Sequence, residues 1–273
     1  MSLHQQVPVV PGPPPRIEVR NAAGSVTAQA AEGAETLEVE VEPLDAAAEE
    51  LLDRVEIDVR QGDAGSPTRL RVTVPERRLL RTPAFAVRIT TPAGAAARIA
   101  VASADVELTG RFGAVDLSGA SADLAVEHAG DVHVRSASGD ARVGRIEGGS
   151  IASASGDVRV GRASGALRLR SASGDVSVEQ ASADLTVSTA SGDVTVGATT
   201  GGAVQVKTVS GDASVGVVPG LRVWLDVSSV SGRMNSQLAD DGATGDGPPQ
   251  LSLTMRSVSG DVRIHRTAPV PTS

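Results

Sequence analysis

The residues with the most chemical capacity are aspartates in fixed company. The segments Ser136-Ala137-Ser138-Gly139-Asp140, Ser153-Ala154-Ser155-Gly156-Asp157 and Ser171-Ala172-Ser173-Gly174-Asp175 repeat one pentapeptide. Looser copies end at Asp105, Asp123, Asp193, Asp212 and Asp261. From Asp105 to Asp212 the steps are 18, 17, 17, 18, 18 and 19 residues. Carboxylates beside hydroxyls at constant spacing could hold a row of calcium ions. The nonapeptide calcium repeat GGxGxDxUx also makes one turn of chain from two nine-residue units. That period matches; the ligands do not. Calcium takes six to eight oxygens, whereas each copy here supplies one carboxylate and has Ser-Ala in place of Gly-Gly. Asp140, Asp157, Asp175 and Asp193 are the calcium edge this sequence could offer. No other cofactor or metal is expected.

The same residues suit a structural task. In a tight SxSGD bend an aspartate accepts hydrogen bonds from backbone N–H groups and serine hydroxyls. Stacked one strand apart, the carboxylates repel by roughly 1 kcal/mol per pair in watery surroundings. Arg142 and Arg159 stand close enough in sequence to offset part of this. Ser136, Ser153 and Ser171 form a row on one side of the bend, where stacked hydroxyls can bond from rung to rung. Ser138, Asp140, Ser155, Asp157, Ser173, Asp175, Ser191 and Asp193 form the candidate binding edge, together with Trp224.

Other chemistries find little support. His4, His128, His133 and His265 lack metal-ligand spacing and read as surface residues. There is no nucleophile elbow and no phosphate-binding P-loop. The long-coiled polysaccharide lyases set clustered acids with Arg or Lys in a groove, but no copy of this repeat is distinguished from its neighbours. No converging acid–base set can be named, so the chain is not expected to be an enzyme. With no cysteine, disulfides and thiolate sites are excluded. A net charge of −8 and an aromatic content of 1% exclude the electrostatic footprint and the stacking platforms of a nucleic-acid binder.

The elements that must position this edge are short strands. Val158 with Val160, Val176 with Val178 and Val194 with Val196 follow the bends in alternation. About nine residues away lies a weaker strand: GAVDL at 113–117, GDVHV at 130–134, GALRLR at 165–170, SADLTV at 182–187 and GGAVQV at 201–206. One coil is then ~17–18 residues, two strands and two turns, as in stacked repeat proteins. With Val158 and Val160 facing in, Asp157 and Arg159 face out. A core of Ala, Val, Leu and Ile fills a thin gap between strands and little more.

Residues 1–15 are Pro-rich and expected to be disordered. Residues 16–94 read as an antiparallel β-rich cap with one short helix over 44–55, N-capped by Asp45. The alternating runs 55–59 and 70–74, with GDAGSP between them, predict a hairpin. Residues 95–266 carry the repeat, with a polar insertion loop at 237–250, and 267–273 form a tail. The fold expected is all-β: a parallel β-solenoid of two-stranded coils behind that cap.

SGDV strands at 136–140, 153–158, 171–176, 191–194, 210–212 and 259–262, after a β-rich part containing LRVTVP, resemble the bacterial "putative adhesin" β-strand-repeat family. The resemblance covers about residues 16–265. That family is a domain of unknown function in which SGDV is a structural signature, and it supplies no catalytic residues to carry over. It implies a non-enzymatic binding or scaffold surface for a protein or surface partner. Self-assembly of the coils into a cytoplasmic scaffold, by end-to-end or edge contact between copies, is the first alternative. A calcium-stabilised roll is the second. Neither nucleic acid nor a membrane span is expected among the partners, since no run of about 18 apolar residues exists. With no secretory signal or anchor in view, a cytoplasmic location is expected, or an extracellular one only by a non-classical route.

Overall fold

The computed structural model describes residues 2–75, 82–238 and 248–267. Strand accounts for 71% and helix for 3%, as the period-2 patterns demand. The chain divides into two compact units, residues 1–142 and 143–273.

The first unit is built on one long strand. Its elements are β1 (Leu3–Pro8), β2 (Arg16–Ala31), β3 (Thr36–Pro43), α1 (Ala46–Glu49), β4 (Glu56–Arg60), β5 (Arg69–Thr73), β6 (Phe85–Pro92), β7 (Ala96–Ser121) and β8 (Leu124–Ser138). β2 bends at Gly24, where φ is +107°. Its first half runs parallel between β5 and the start of β7, with Ile17 facing Leu70 and Ala97. Its second half runs parallel between β6 and the middle of β7, with Val26 facing Val87 and Val106. Further along, β7 lies parallel to β8, Val115 on Val132. Antiparallel strands close the start: β4 on β5, β3 on β6 and β1 on β3.

Residues 16–94 are therefore not wholly antiparallel. Parallel stacking begins at Arg16, well before residue 95. β2 has the strand–bend–strand build of a repeat but lacks the SASGD signature. Asn21 replaces the serine of the bend, and its side-chain amide donates to the carbonyls of Phe85 (2.9 Å) and Ser25 (3.3 Å). The Pro-rich start is also not disordered throughout, because Leu3–Pro8 pairs with β3 along its length. The expected hairpin is present as β4–β5. The helix is shorter than expected: α1 gives way to a 3-10 turn at Leu52–Arg54. Leu51 and Leu52 are buried there, which draws the chain down toward β4. Asp45 is the N-cap, accepting the Ala48 N–H at 2.7 Å.

The second unit takes up β9 (Ala141–Ser155), which starts at the unit boundary. It continues with β10 (Val158–Ala163), β11 (Leu167–Ser173), β12 (Val176–Ala181), β13 (Leu185–Ser191), β14 (Val194–Thr199), β15 (Gly202–Ser210), β16 (Ala213–Val217), β17 (Val223–Ser231), β18 (Met234–Ser236), β19 (Leu251–Ser259) and β20 (Val262–Arg266). Alternate strands stack in parallel: Leu167 on Leu185 on Val204, and Val158 on Val176 on Val194. These six side chains are all buried. Burial of such small residues is worth about 1.5–3 kcal/mol each for Val and Leu, repeated at every rung.

Rung order departs from chain order at the far end. β19 lies between β15 and β17, and β20 between β16 and β18. The last repeat in sequence is thus inserted, and Val223–Ser236 forms the terminal rung. Composition explains the exchange. Leu251, Leu253, Met255, Val262 and Ile264 are fully buried in their inserted rung. The strand VWLDVSSVS has the weaker apolar face and takes the open position. Residues 239–247 of the expected loop and 268–273 of the expected tail lie outside the described residues.

Candidate functional site

The bends bring the aspartates into register as the spacing requires. The bond pattern is directional. Asp105, Asp123, Asp157, Asp175, Asp193, Asp212 and Asp261 each accept, through Oδ1, the N–H of the residue at the same place on the next rung. In the first unit the Asp123 N–H donates to Asp105 (3.1 Å) and the Asp140 N–H to Asp123 (2.9 Å). In the second unit the row runs Asp175 to Asp157 (3.0 Å), Asp193 to Asp175 (2.8 Å), Asp212 to Asp193 (2.8 Å) and Asp261 to Asp212 (2.8 Å). A bend leaves one backbone donor facing the neighbouring rung, and a short carboxylate is the side chain that reaches it. Charge-assisted bonds of this kind are stronger than neutral ones and offset the repulsion along the row. Arg142 pairs with Asp140 and Arg159 with Asp157, each at 2.7 Å.

The inner hydroxyls do not bond from rung to rung. Ser136 donates to the carbonyl of Ser138, Ser153 to Gly156 and Ser171 to Gly174, at 3.1–3.3 Å and within the same bend. Each of these serines is buried, so its hydroxyl serves the nearest carbonyl of its own sharp turn. Ser138, Ser155, Ser173 and Ser191 are exposed beside the aspartates. Among the described residues, no three His, Cys, Asp or Glu side chains gather as a metal-holding group.

The row ends at Arg233. Its N–H donates to Asp261 at 2.8 Å like any other member, but its side chain has no acceptor to offer a further rung. Around this end the apolar surface opens. Eight large apolar side chains are exposed among the described residues, and six lie here: Val209, Trp224, Leu225, Val230, Met234 and Val258. Strand register sets Val209, Val258 and Val230 side by side on three successive rungs. Trp224 is 51% exposed and Val230 83%. Among the described residues no strand pairs with the outer edge of β17 or β18. Sequence order alone scatters these valines, since the inserted rung is what joins them.

A second site was not visible in the repeat. On the outer face of the first unit, β4, β5, β2, β7 and β8 carry two rows of charge. One row alternates in sign: Asp58, Arg71, Glu18, Arg98, Asp116, His133. Arg71 bonds Glu18 at 3.0 Å, and Arg98 bonds Asp116 at 3.0 Å. Two residues along, Arg60 faces Arg69 and Arg69 faces Arg16. These side chains border a cleft of about 490 Å³ whose further wall includes Ala96 and Ala114.

The family model Toastrack DUF4097 matches residues 16–265. The chain belongs to the Toastrack DUF4097 family. No curated protein matches it. Among solved structures, a "putative adhesin" from Parabacteroides distasonis is similar at 13% identity, 97% of each chain covered and a TM-score of 0.42. A second "putative adhesin", from Bacteroides fragilis, shares 13% identity over 98% of this chain and 97% of its own, with a TM-score of 0.38. A "putative lipid binding protein" from Parabacteroides distasonis shares 11% over 98% and 97%, with a TM-score of 0.40. Within the Toastrack match fall the whole aspartate row, Arg233 and all the residues of the cleft.

Proposed function

We propose that the chain is a non-enzymatic binding module on a two-stranded β-solenoid, and that it takes an extended strand of a protein partner at its terminal rung. The observation that carries this is the outer edge of β17 and β18, unpaired among the described residues, with Trp224, Leu225, Val230 and Met234 exposed around it. An open parallel edge is a template for strand addition. Arg233 selects the occupant. Its side chain is 92% exposed and stands 3.9 Å from the Asp261 carboxylate, free to meet an acidic residue on the incoming strand. Another rung with a backbone N–H seeking an aspartate finds a cation instead, which disfavours stacking of a second copy. The binding edge along Ser138 to Asp193 is then structural, since Asp157, Asp175 and Asp193 already accept backbone N–H groups through Oδ1 and Asp140 is paired with Arg142. A catalytic role for those carboxylates has no support from their regular, self-bonded placement.

Selection of a displayed peptide library on the full chain tests the reading. Enriched peptides are expected to alternate apolar residues and to carry Asp or Glu, and to lose binding to Leu225→Asp and Met234→Lys. Selection that enriches nothing over those two variants overturns it. So does light scattering in which the mass of the chain grows with concentration in a way that Leu225→Asp abolishes, because the occupant would then be a second copy.

A further inference from the structure

The arginine row of the first unit is unbalanced. Arg60, Arg69 and Arg16 occupy directly opposed places on three adjacent strands, a strand spacing of about 4.8 Å apart. Like charges set opposite one another on a sheet are destabilising. Arg60 turns to Asp58 in the neighbouring row, at 3.3 Å. Arg16 and Arg69 have no carboxylate partner among the described residues, although Glu18 and Asp58 lie one row away and are taken by other arginines. The lining as a whole holds five arginines, Arg16, Arg60, Arg69, Arg71 and Arg98, against three carboxylates, Glu18, Asp58 and Asp116. In a chain of net charge −8, this is a local reversal of sign.

The shape of the cleft goes with the charge. Past Arg16 the same row continues with Ala96 and then Ala114. Two small side chains leave a floor beside the guanidinium groups, and Asp116 and His133 stand at its far side. Forked guanidinium groups match the oxygens of a phosphate. The alanine floor offers room for an uncharged body, and beyond it Asp116 is held by Arg98 at 3.0 Å and His133 stands 3.1 Å from Asp131, a polar border for hydroxyl groups. No Phe, Tyr or Trp lines the cleft, so it has none of the large aromatic platforms on which a sugar ring stacks.

We propose that the cleft binds a phosphorylated polyol, with Arg16 and Arg69 on the phosphate and the polyol over Ala96 and Ala114. This stands on residues of the first unit and the terminal-rung reading on residues of the second, and either can fail without the other. The same chemistry is found in a free glycerol phosphate and in a glycerophospholipid headgroup. Calorimetric titration of the full chain with glycerol 3-phosphate, beside flotation with vesicles of phosphatidylglycerol or of phosphatidylcholine alone, separates those sources.

Binding of glycerol 3-phosphate is expected to fall at least tenfold in Arg16→Ala/Arg69→Ala. It is expected to persist in Arg168→Ala/Arg170→Ala, which removes two exposed arginines of the second unit. Flotation with phosphatidylglycerol vesicles alone, lost in the same double variant, supports the headgroup as the source. Equal affinity of wild type and Arg16→Ala/Arg69→Ala overturns the proposal, as does an equal loss in Arg168→Ala/Arg170→Ala or failure of both probes to bind. Circular dichroism confirms that the exposed double variant is folded before it is titrated.

Discussion

Two rows of like charge cross strands in this chain, and they are treated in opposite ways. Along the bends of the second unit, Asp157, Asp175, Asp193, Asp212 and Asp261 each accept a backbone N–H from the next rung. On the face of the first unit, Arg16 and Arg69 sit opposite each other, and the one acid in their own row among the described residues, Asp131, lies three rungs beyond Arg16 and pairs with His133. A like-charged row that neutralises a backbone donor at each step is part of the scaffold. One that neutralises nothing is free to take a ligand. On the proposed reading the regular row is scaffold and the irregular one is the site.

The largest effect is expected from breaking the bend that feeds the aspartate row. Gly192 has φ of +132°, and a Cβ there would run into the carbonyl oxygen of Gly174. Gly192→Ala is expected to cost about 3 kcal/mol, read as a lowered urea midpoint. Asp193→Ala removes the acceptor of the Asp212 N–H and is expected to cost about 1–2 kcal/mol. Asp193→Asn keeps an oxygen in place and is expected to cost less than about half of that. If the two substitutions are equal, charge rather than the hydrogen bond holds the row.

The other side of the comparison should behave differently. Arg16→Ala/Arg69→Ala is expected to leave stability within about 0.5 kcal/mol of wild type in the same urea assay, since it removes repulsion along with some surface packing. The smallest effect lies in the β4–β5 loop, where one aspartate is held mainly by backbone N–H groups. The N–H groups of Gly65 and then Ser66 hold the Asp63 carboxyl below its ordinary value of 3.8. Its contribution to stability is therefore present above the unfolded value and is lost as pH falls through the folded one. Asp63→Asn is expected to flatten that part of the acid limb of the melting temperature against pH.

The sequence already carried the bend, the inward valines and the outward aspartates, because a period of two and a fixed step leave few arrangements. It also carried the β4–β5 hairpin and the Asp45 cap. It did not show that β2 is a full turn of the stack, since Asn21 does by side-chain amide what serine does elsewhere. The insertion of β19 and β20 ahead of β17 was invisible for another reason. Both segments read as strands with adequate alternation, and only the core decides which is buried. The arginine cleft depended on that same register. Arg60 and Arg69 meet across the expected β4–β5 hairpin, but Arg16 is far from both along the chain, and no local pattern fixes the pairing of β2 with β5.

Amide hydrogen exchange at Asp193 tests the central claim most directly. Its N–H donates to Asp175 Oδ1 at 2.8 Å. The expected result is slow exchange in the wild type, a marked acceleration in Asp175→Ala and near wild-type protection in Asp175→Asn, the same with and without millimolar calcium. Equal exchange in all three proteins, or protection that appears only with calcium, would contradict it and return the aspartate row to the list of binding sites.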